Sequence, residues 1–273
     1  MKSRPLRLQT ISSRENRWLA RFRTALRRGP LDDSTIGLEG FHLVEEALRS
    51  RLPLEAVLFS QSGEHLLDRL APHLDLSTRL LRASDRLFAA VAGTETPQGI
   101  AALLRPRQAS FDDLVRGLPL VVVLVGLQDP GNVGTILRSA EAFGATGVIT
   151  AAAGSLGTAH PYSPKALRAS AGSALRLPIL PGLSVSIALA QLRVSGLRLF
   201  AASVSEGTAP AIADLRSPAA LLIGNEGAGL PPEVERSSDV RLRIPLAPGV
   251  DSLNAAVAAS VLLYEASRQR SSS

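Results

Sequence analysis

The sequence predicts an α/β protein in which a parallel sheet with helices on both faces follows a smaller α/β unit. The apolar run Leu120 to Val125, bounded by Pro119 and Gly126, is typical of a strand buried on both faces. Further strand candidates alternate with helix-length segments after this run, which favours a parallel sheet. A polar stretch before the run separates an earlier set of short strands and helices. With 273 residues, the chain is long enough for two cores.

The first unit is predicted to begin with a basic helix over residues 14–28, which Gly29-Pro30 ends. Its strands are predicted at residues 34–39, 54–60, 77–81 and 99–104, and its helices at residues 41–49, 63–70 and 84–91. We expect residues 1–107 to form this domain and residues 108–118 to be a linker.

The second domain is predicted to span residues 119–273. Its further strands are expected at residues 147–151, 197–202, 219–223 and 240–244, with a last helix over residues 253–265. Asn132 is placed to cap a helix that runs to about Phe143, since Gly144 can end it. Val133, Ile136 and their helical neighbours form one apolar stripe, so Arg138 points elsewhere.

Composition excludes several classes of function. The chain has no cysteine, which excludes disulfides, thiolate metal sites and cysteine nucleophiles and fits a cytoplasmic protein. Its four histidines lack metal-ligand spacing, so no metal is expected. No apolar run approaches the roughly 20 residues of a membrane helix.

Positive charge is concentrated at the N-terminus. Residues 1–30 contain nine Lys or Arg and one acidic residue, Glu15, whereas the rest of the chain is slightly acidic. Such a cluster is typical of a nucleic-acid partner, although it would also suit a solvated arm. The candidate contacts are Arg21, Arg23, Arg27 and Arg28.

Three polar or Gly-rich loops follow strands of the second domain, at residues 126–132, 224–229 and 245–254. Ligands of open parallel sheets bind beyond the carboxyl ends of the strands, so these loops are expected to share one crevice. The second domain has no Gly-Lys-Ser/Thr sequence. A P-loop, and with it the hydrolysis of nucleotide triphosphates, is therefore excluded. A dinucleotide-binding oxidoreductase is disfavoured, because the glycine spacing is wrong and the stretch TAAAG after Ile149 lacks an acid.

The sequences NVGTILRSAEAFGA, LLIGNEGAGL and IPLAPGVDSLNAAVAASVLLYEA resemble, in order and spacing, the three motifs of the SpoU (TrmH) family of RNA ribose 2′-O-methyltransferases in the SPOUT superfamily. EGFHLVEEAL and TETPQGIAALL look like the RNA substrate-binding domain of many members. The resemblance implies a SPOUT fold with a C-terminal trefoil knot, an exception to the rule that chains are unknotted. It also implies S-adenosylmethionine as cofactor, an RNA substrate and a homodimer. Ribosomal RNA is favoured over transfer RNA.

By the same resemblance, Arg138 is the catalytic residue near the ribose, and Asn132, Glu226 and Asn254 complete the catalytic set. The cofactor is expected to contact eight residues, which lie in the stretches 202–203, 224–227 and 244–253. The eight residues are Ala202, Ser203, Gly224, Asn225, Gly227, Ile244, Leu246 and Leu253.

The chemistry requires an in-line displacement by an aliphatic hydroxyl and the loss of one proton. The candidate proton acceptors are Glu226, an arginine and the RNA phosphate. Arginine is a reluctant base because its pKa exceeds about 12. We therefore expect Arg138 to orient the hydroxyl and stabilise the developing alkoxide, with the phosphate assisting proton loss.

Each residue also has a structural interpretation. Arg138 and Glu141 could form a helix-surface ion pair, Asn132 and Asn254 could be structural, and Glu226 could favour a helix dipole. A protein that binds RNA without catalysis is a rival, but it would be expected to lack Arg138 or the glycines of the second motif. The last helix is apolar nearly all round and must therefore be covered on most sides, by the cofactor loops and by a second subunit. The family resemblance implies the second subunit.

Overall fold

The computed structural model describes residues 8–32, 34–152, 154 and 157–271. The chain divides into two compact units. One comprises Met1–Arg107 and Tyr162–Arg176, and the other comprises Gln108–Pro161 and Leu177–Ser273. The second unit begins where the linker was expected, but Tyr162–Arg176 groups with the first unit. The predicted domains, residues 1–107 and 119–273, stay a prediction beside this division.

The strands are β1 (Leu8–Ile11), β2 (Ile36–Glu39), β3 (Leu54–Ser60), β4 (Arg79–Ala83), β5 (Ile100–Leu104), β6 (Leu120–Val125), β7 (Gly147–Ala152), β8 (Ile179–Ser184), β9 (Arg198–Ala202), β10 (Ala219–Ile223) and β11 (Val240–Leu242). The α-helices are α1 (Arg17–Arg27), α2 (Phe41–Arg49), α3 (Leu67–Leu70), α4 (Asp85–Ala89), α5 (Phe111–Leu114), α6 (Pro130–Ala142), α7 (Pro164–Ser170), α8 (Ser173–Arg176), α9 (Val185–Val194), α10 (Pro232–Ser237) and α11 (Ala255–Ser271). Short 3-10 turns lie at Glu64–Leu66 and Ala71–His73.

The first unit contains a five-stranded sheet in the order β1-β4-β3-β5-β2. β4 is parallel to β1 and β3, whereas β5 is antiparallel to β3 and β2. Helix α1 buries Trp18, Phe22 and Leu26 in this unit, and Asn16 caps its first turn by accepting a hydrogen bond from the Trp18 N–H at 2.9 Å. The helix predicted over residues 63–70 is wrong in detail, since a 3-10 turn precedes the single turn of α3.

The second unit contains a six-stranded, fully parallel sheet in the order β11-β9-β10-β6-β7-β8. All six residues of β6 are buried, which confirms the central strand expected from the apolar run. From β6 the chain proceeds to β7 and β8 on one side, and later to β9, β10 and β11 on the other. The order therefore reverses between β6 and β10, and ligands of such sheets bind beside that point.

Several predicted boundaries are wrong by a few residues. Helix α6 begins at Pro130 and is capped by Asp129, whose carboxylate accepts from the Gly131 N–H at 2.8 Å, so the expected cap at Asn132 is incorrect. Helix α11 runs from Ala255 to Ser271 and so begins and ends later than expected. It begins later because Asn254 caps it. Strands β1 and β8 are not among those predicted from the sequence. Among the helices that the structure describes, none combines the length and apolarity needed to cross a membrane.

Candidate active site

A cavity of about 230 Å³ lies beyond the carboxyl ends of β9, β10 and β11. All eight residues predicted to contact the cofactor line it: Ala202, Ser203, Gly224, Asn225, Gly227, Ile244, Leu246 and Leu253. The sequence did not single out Val204, Arg243, Val250, Asp251, Ala258 and Leu262, which also line it. Val204 follows the predicted contact Ser203, and Arg243, Val250 and Asp251 lie in or just before the third predicted loop. Only folding brings Ala258 and Leu262 of α11 to the same wall.

The loop after β10 is tightly folded. The main chains of Asn225 and Gly229 exchange two hydrogen bonds, at 2.9 and 3.0 Å. A Cβ on Gly224 would lie 2.3 Å from Gly229 and Leu230 main-chain atoms, so only glycine fits there. The Asn225 side chain accepts from the Gly227 N–H at 3.0 Å and donates to the Gly126 carbonyl at 2.8 Å. Asn225 thus joins the end of β10 to the end of β6.

Asn132, Glu226 and Asn254 meet in one hydrogen-bonded cluster, although each comes from a different loop or helix start. The Asn132 side-chain amide donates to the Glu226 carboxylate at 3.0 Å, and the Asn254 side-chain amide donates to the side-chain oxygen Oδ1 of Asn132 at 3.1 Å. Asn254 also accepts from the Ala256 N–H at 2.9 Å and therefore caps α11. The structural and the functional interpretations of Asn254 are thus compatible.

Glu226 is held by donors on several sides. Besides Asn132, the main-chain N–H groups of Gln128 and Asp129 each donate to its carboxylate at 3.3 Å. Burial alone raises the pKa of Glu226, but the hydrogen bonds together outweigh it and hold the pKa below its ordinary value. A carboxylate so stabilised is a weak base, which argues against Glu226 as the proton acceptor.

Arg138 is on α6, six residues after Asn132, and it does not line the cavity. Its side chain is exposed, and no residue in the described part of the chain forms a hydrogen bond or ion pair with it. The alternative of an ion pair with Glu141 is therefore wrong. Within one chain, the structure does not bring Arg138 together with the other three predicted catalytic residues.

Main-chain groups of the cavity wall are available to a ligand. Ile244, Leu246 and Leu253 line the cavity, and their main-chain N–H and C=O groups make no hydrogen bond within the described residues. Unpaired backbone groups beside aliphatic side chains suit a ligand with a flat, hydrogen-bonding base, such as the adenosine part of S-adenosylmethionine.

The four N-terminal arginines have different environments. Arg21 forms an ion pair with Glu55, and its guanidinium lies 5.3 Å from the centre of the Trp18 ring. The Arg27 side chain donates to the Ala92 carbonyl at 2.9 Å. Arg23 and Arg28 are exposed and have no partner among the described residues. Only the latter two are thus fully available to a nucleic acid.

The cluster and the cavity unite three sequence stretches that also match a known family. The family model described as the SpoU rRNA methylase family matches residues 119–264. The chain belongs to the SpoU rRNA methylase family. A second model, described as RNA 2′-O ribose methyltransferase substrate binding, matches residues 38–110. Members of the SpoU family are S-adenosylmethionine-dependent RNA methyltransferases, and this chain is therefore an enzyme of that class.

Relatives of this SpoU protein align with most of its length. It is 31% identical to the 23S rRNA (guanosine(2553)-2′-O)-methyltransferase RlmP of Bacillus subtilis, over 85% of this chain and 88% of that protein. It is 30% identical to the 23S rRNA (guanosine-2′-O-)-methyltransferase RlmB of Ralstonia nicotianae, over 86% of this chain and 96% of that protein.

Solved structures are similar over both units. The AdoMet-bound rRNA methyltransferase of Sinorhizobium meliloti has a TM-score of 0.84 and 26% identity, covering 96% of this chain and 98% of that one. The SpoU methyltransferase AviRb of Streptomyces viridochromogenes, in complex with AdoMet, has a TM-score of 0.83 and 29% identity. The match covers 94% of this chain and 99% of that one. The parallel-sheet SPOUT fold and the use of S-adenosylmethionine predicted from the motifs are confirmed.

Proposed function

We propose that this protein methylates a ribose 2′-hydroxyl of ribosomal RNA, with S-adenosylmethionine bound in the cavity at the ends of β9, β10 and β11. The observation that carries this proposal is the cluster of Asn132, Glu226 and Asn254 beside that cavity. It joins the three motif loops through hydrogen bonds that no single motif could make alone.

Cofactor placement follows from the lining of the cavity. Gly224, Ile244 and Leu253 would present main-chain groups to the base, while Leu246 and Leu262 would pack against its faces. When bound, S-adenosylmethionine supplies the methyl group as an electrophile. The tightly folded loop after β10 forms one side of the cavity and fixes the position of Glu226.

Within this site, Glu226 and Asn132 act as positioning residues. Glu226 holds Asn132 and the start of α6, and Asn132 in turn contacts Asn254 at the start of α11. Arg138 would orient the ribose 2′-hydroxyl and stabilise the charge that develops on its oxygen. The proton would leave to the adjacent RNA phosphate, because the depressed pKa of Glu226 makes that carboxylate a poor acceptor.

A homodimer is part of the proposal. Val257, Val261 and Tyr264 on α11 are 49%, 38% and 55% exposed, and with Phe143 at the end of α6 they border an apolar depression of about 330 Å³. A second copy of the chain would cover this surface. Thr135 borders the same depression one turn before Arg138, so a partner docked there would lie next to the guanidinium. We propose that Arg138 serves the cavity of the partner subunit, since it does not line its own.

Ribosomal RNA is preferred over transfer RNA as substrate because RlmP and RlmB, whose names state 23S rRNA as substrate, align with this chain over 88% and 96% of their own length. A cytoplasmic location follows from such a substrate. The trefoil knot implied by the family motifs stays a prediction.

The deciding experiment compares cells with and without the protein by mapping 2′-O-methylated nucleotides in total RNA. We expect one ribosomal RNA position to lose its methyl group in the deletion strain and to regain it with the wild-type gene but not with Arg138→Ala. A site lost from transfer RNA alone would overturn the assignment to ribosomal RNA. No lost site in either RNA would contradict the proposed activity.

A further inference from the structure

Charged side chains line the cavity at only three positions among the described residues: Glu226, Arg243 and Asp251. Glu226 is already engaged by Asn132 and two main-chain N–H groups. Arg243 and Asp251 are exposed, and neither has a hydrogen bond from its side chain or an ion pair within the described part of the chain. Besides the engaged Glu226, the cavity is therefore lined by one cation, Arg243, and one anion, Asp251, which form no ion pair with each other.

A neighbouring arginine shows that pairing is possible in this region. Arg241, two residues before Arg243, forms an ion pair with Glu206 on the loop after β9. Arg243 lies just beyond β11, and its main-chain N–H donates to the Thr208 carbonyl at 3.0 Å, which fixes the backbone that carries the side chain. Asp251 lies on the loop between β11 and α11. Two separate positions thus deliver opposite free charges to one cavity.

We propose that Arg243 and Asp251 bind the amino-acid end of S-adenosylmethionine. The Arg243 guanidinium would hold the carboxylate in a bidentate contact, and the Asp251 carboxylate would hold the ammonium. The rest of the lining is aliphatic or main chain and suits the adenosine part, which has no charge. This inference rests on the proposed position of the cofactor in the cavity.

An RNA phosphate is the other anion that Arg243 could meet. Asp251 opposes that alternative, because a free carboxylate lining the same cavity repels a phosphate but complements a zwitterion. The two side chains together therefore favour an α-amino acid group over a phosphate.

The test uses the full-length protein and ligands with and without the amino-acid end. Calorimetric titration measures S-adenosylmethionine and 5′-methylthioadenosine, which lacks that end, against wild type, Arg243→Ala and Asp251→Asn. Because 5′-methylthioadenosine also lacks the sulfonium charge, S-adenosylhomocysteine, which keeps the amino-acid end on an uncharged sulfur, is titrated as well and should be weakened by the same factor as S-adenosylmethionine. Charge-assisted hydrogen bonds are worth enough that each variant should bind S-adenosylmethionine about tenfold or more weakly. Affinity for 5′-methylthioadenosine should stay within about twofold, because the adenosine contacts are unchanged. Arg243→Lys should restore part of the affinity.

Decarboxylated S-adenosylmethionine separates the two roles. This ligand lacks the carboxylate, so its affinity for Arg243→Ala should equal its affinity for wild type. It keeps the ammonium, so its affinity for Asp251→Asn should still be lower. Arg241→Ala is the matched control, since Arg241 does not line the cavity, and it should leave both ligands unaffected.

Two outcomes would overturn the inference: equal losses for both ligands, or unchanged S-adenosylmethionine affinity with weaker RNA binding in Arg243→Ala. Failure of the cofactor placement itself is detected separately with Ala258→Leu, which narrows the cavity from α11. If Ala258→Leu binds S-adenosylmethionine normally, the proposed cofactor site is wrong. If it blocks binding while the two charge variants do not, only the roles of Arg243 and Asp251 are refuted.

Discussion

At the scale of single residues, we expect Arg138 to contribute to catalysis but not to the stability of the fold. Its side chain is exposed and unpaired among the described residues, so Arg138→Ala should leave the free energy of unfolding within about 0.5 kcal/mol of wild type. Methyl transfer should fall by at least about 100-fold, because the developing oxyanion is no longer stabilised. S-adenosylmethionine affinity should change little, since Arg138 does not line the cavity.

Transfer of tritium from labelled cofactor to RNA and calorimetric titration of the cofactor measure these effects. Arg236→Ala is the matched control, because Arg236 is also exposed and has no partner in the described part of the chain. Near wild-type transfer by Arg138→Ala would remove Arg138 from the mechanism.

Glu226 gives a prediction about pH. Its folded-state pKa is lowered, so the stabilisation it provides is present above its unfolded pKa, ordinarily near 4.5, and is lost only as the pH falls through the lower folded value. The carboxylate therefore does not titrate near neutral pH. Glu226→Gln should reduce the rate by loosening Asn132, yet the pH profile between about pH 6 and 9 should keep its shape.

The measurement is the methyl-transfer rate of wild type and Glu226→Gln across that pH range with saturating RNA. Should the variant lack an ionisation that wild type displays, Glu226 would be the proton acceptor after all.

At the scale of elements, α1 and its C-terminal end contain two kinds of arginine. Replacing Arg23 and Arg28 with alanine should weaken binding to any RNA. The slope of log RNA affinity against log salt concentration should become shallower by about one for each phosphate that is no longer neutralised. Replacing Arg21 and Arg27 should instead lower the free energy of unfolding by about 1 to 2 kcal/mol, since those side chains bond to Glu55 and to the Ala92 carbonyl.

Filter binding at several salt concentrations and urea denaturation distinguish the two pairs, each of which serves as the control for the other. An unchanged salt slope for the Arg23 and Arg28 variant would show that α1 does not contact phosphate.

The end of α11 is anchored by Arg270 in an unusual way. Its guanidinium donates to the carbonyls of Leu118, Pro119, Leu215 and Ser217 at 2.8 to 3.0 Å. Arg270→Ala leaves these acceptors without their donor and should cost about 2 to 3 kcal/mol of stability. Arg268→Ala removes an ion pair with Glu265 in which the arginine is half exposed, and should cost less than about 1 kcal/mol.

Urea denaturation of both variants tests this anchor, with the midpoint and the slope fitted separately. Equal stability of the two variants would mean that solvent replaces the hydrogen bonds of Arg270 at no cost.

At the scale of the whole molecule, the apolar depression on α6 and α11 predicts a dimer that catalysis requires. Val261→Arg with Tyr264→Arg places two charges on this surface and should yield a monomer. The double variant should still bind S-adenosylmethionine, because the cavity is formed by one chain, but it should lose methyl transfer if Arg138 acts in the partner's site.

Light scattering at micromolar concentration gives the mass, and the cofactor titration reports whether the monomer is folded. Ile187→Arg, at an exposed apolar position on α9, is the control and should remain dimeric. A wild-type monomer, or a fully active monomeric variant, would contradict the proposal.

The sequence by itself determined the fold class, the strand β6, the order of the three motif loops and the eight predicted residues that line the cavity. The fold class and β6 follow from local patterns: a short apolar run between turn formers, and strand ends that must meet at one edge of a parallel sheet. The eight cavity residues follow from the resemblance of the three motifs to those of the SpoU family. The predicted helix α2 and the strands β3, β6 and β10 have the expected bounds because apolar periodicity and turn residues coincide there.

Tertiary structure alone decided the rest. Asn132 is not the helix cap because Asp129 lies where its carboxylate reaches the Gly131 N–H, a matter of loop geometry. Tyr162–Arg176 groups with the first unit, and the lowered pKa of Glu226 arises from donors far away in sequence. Arg21 and Arg23 look alike in the sequence, yet only the fold places Glu55 beside the first and leaves the second free among the described residues, because pairing depends on contacts between distant segments.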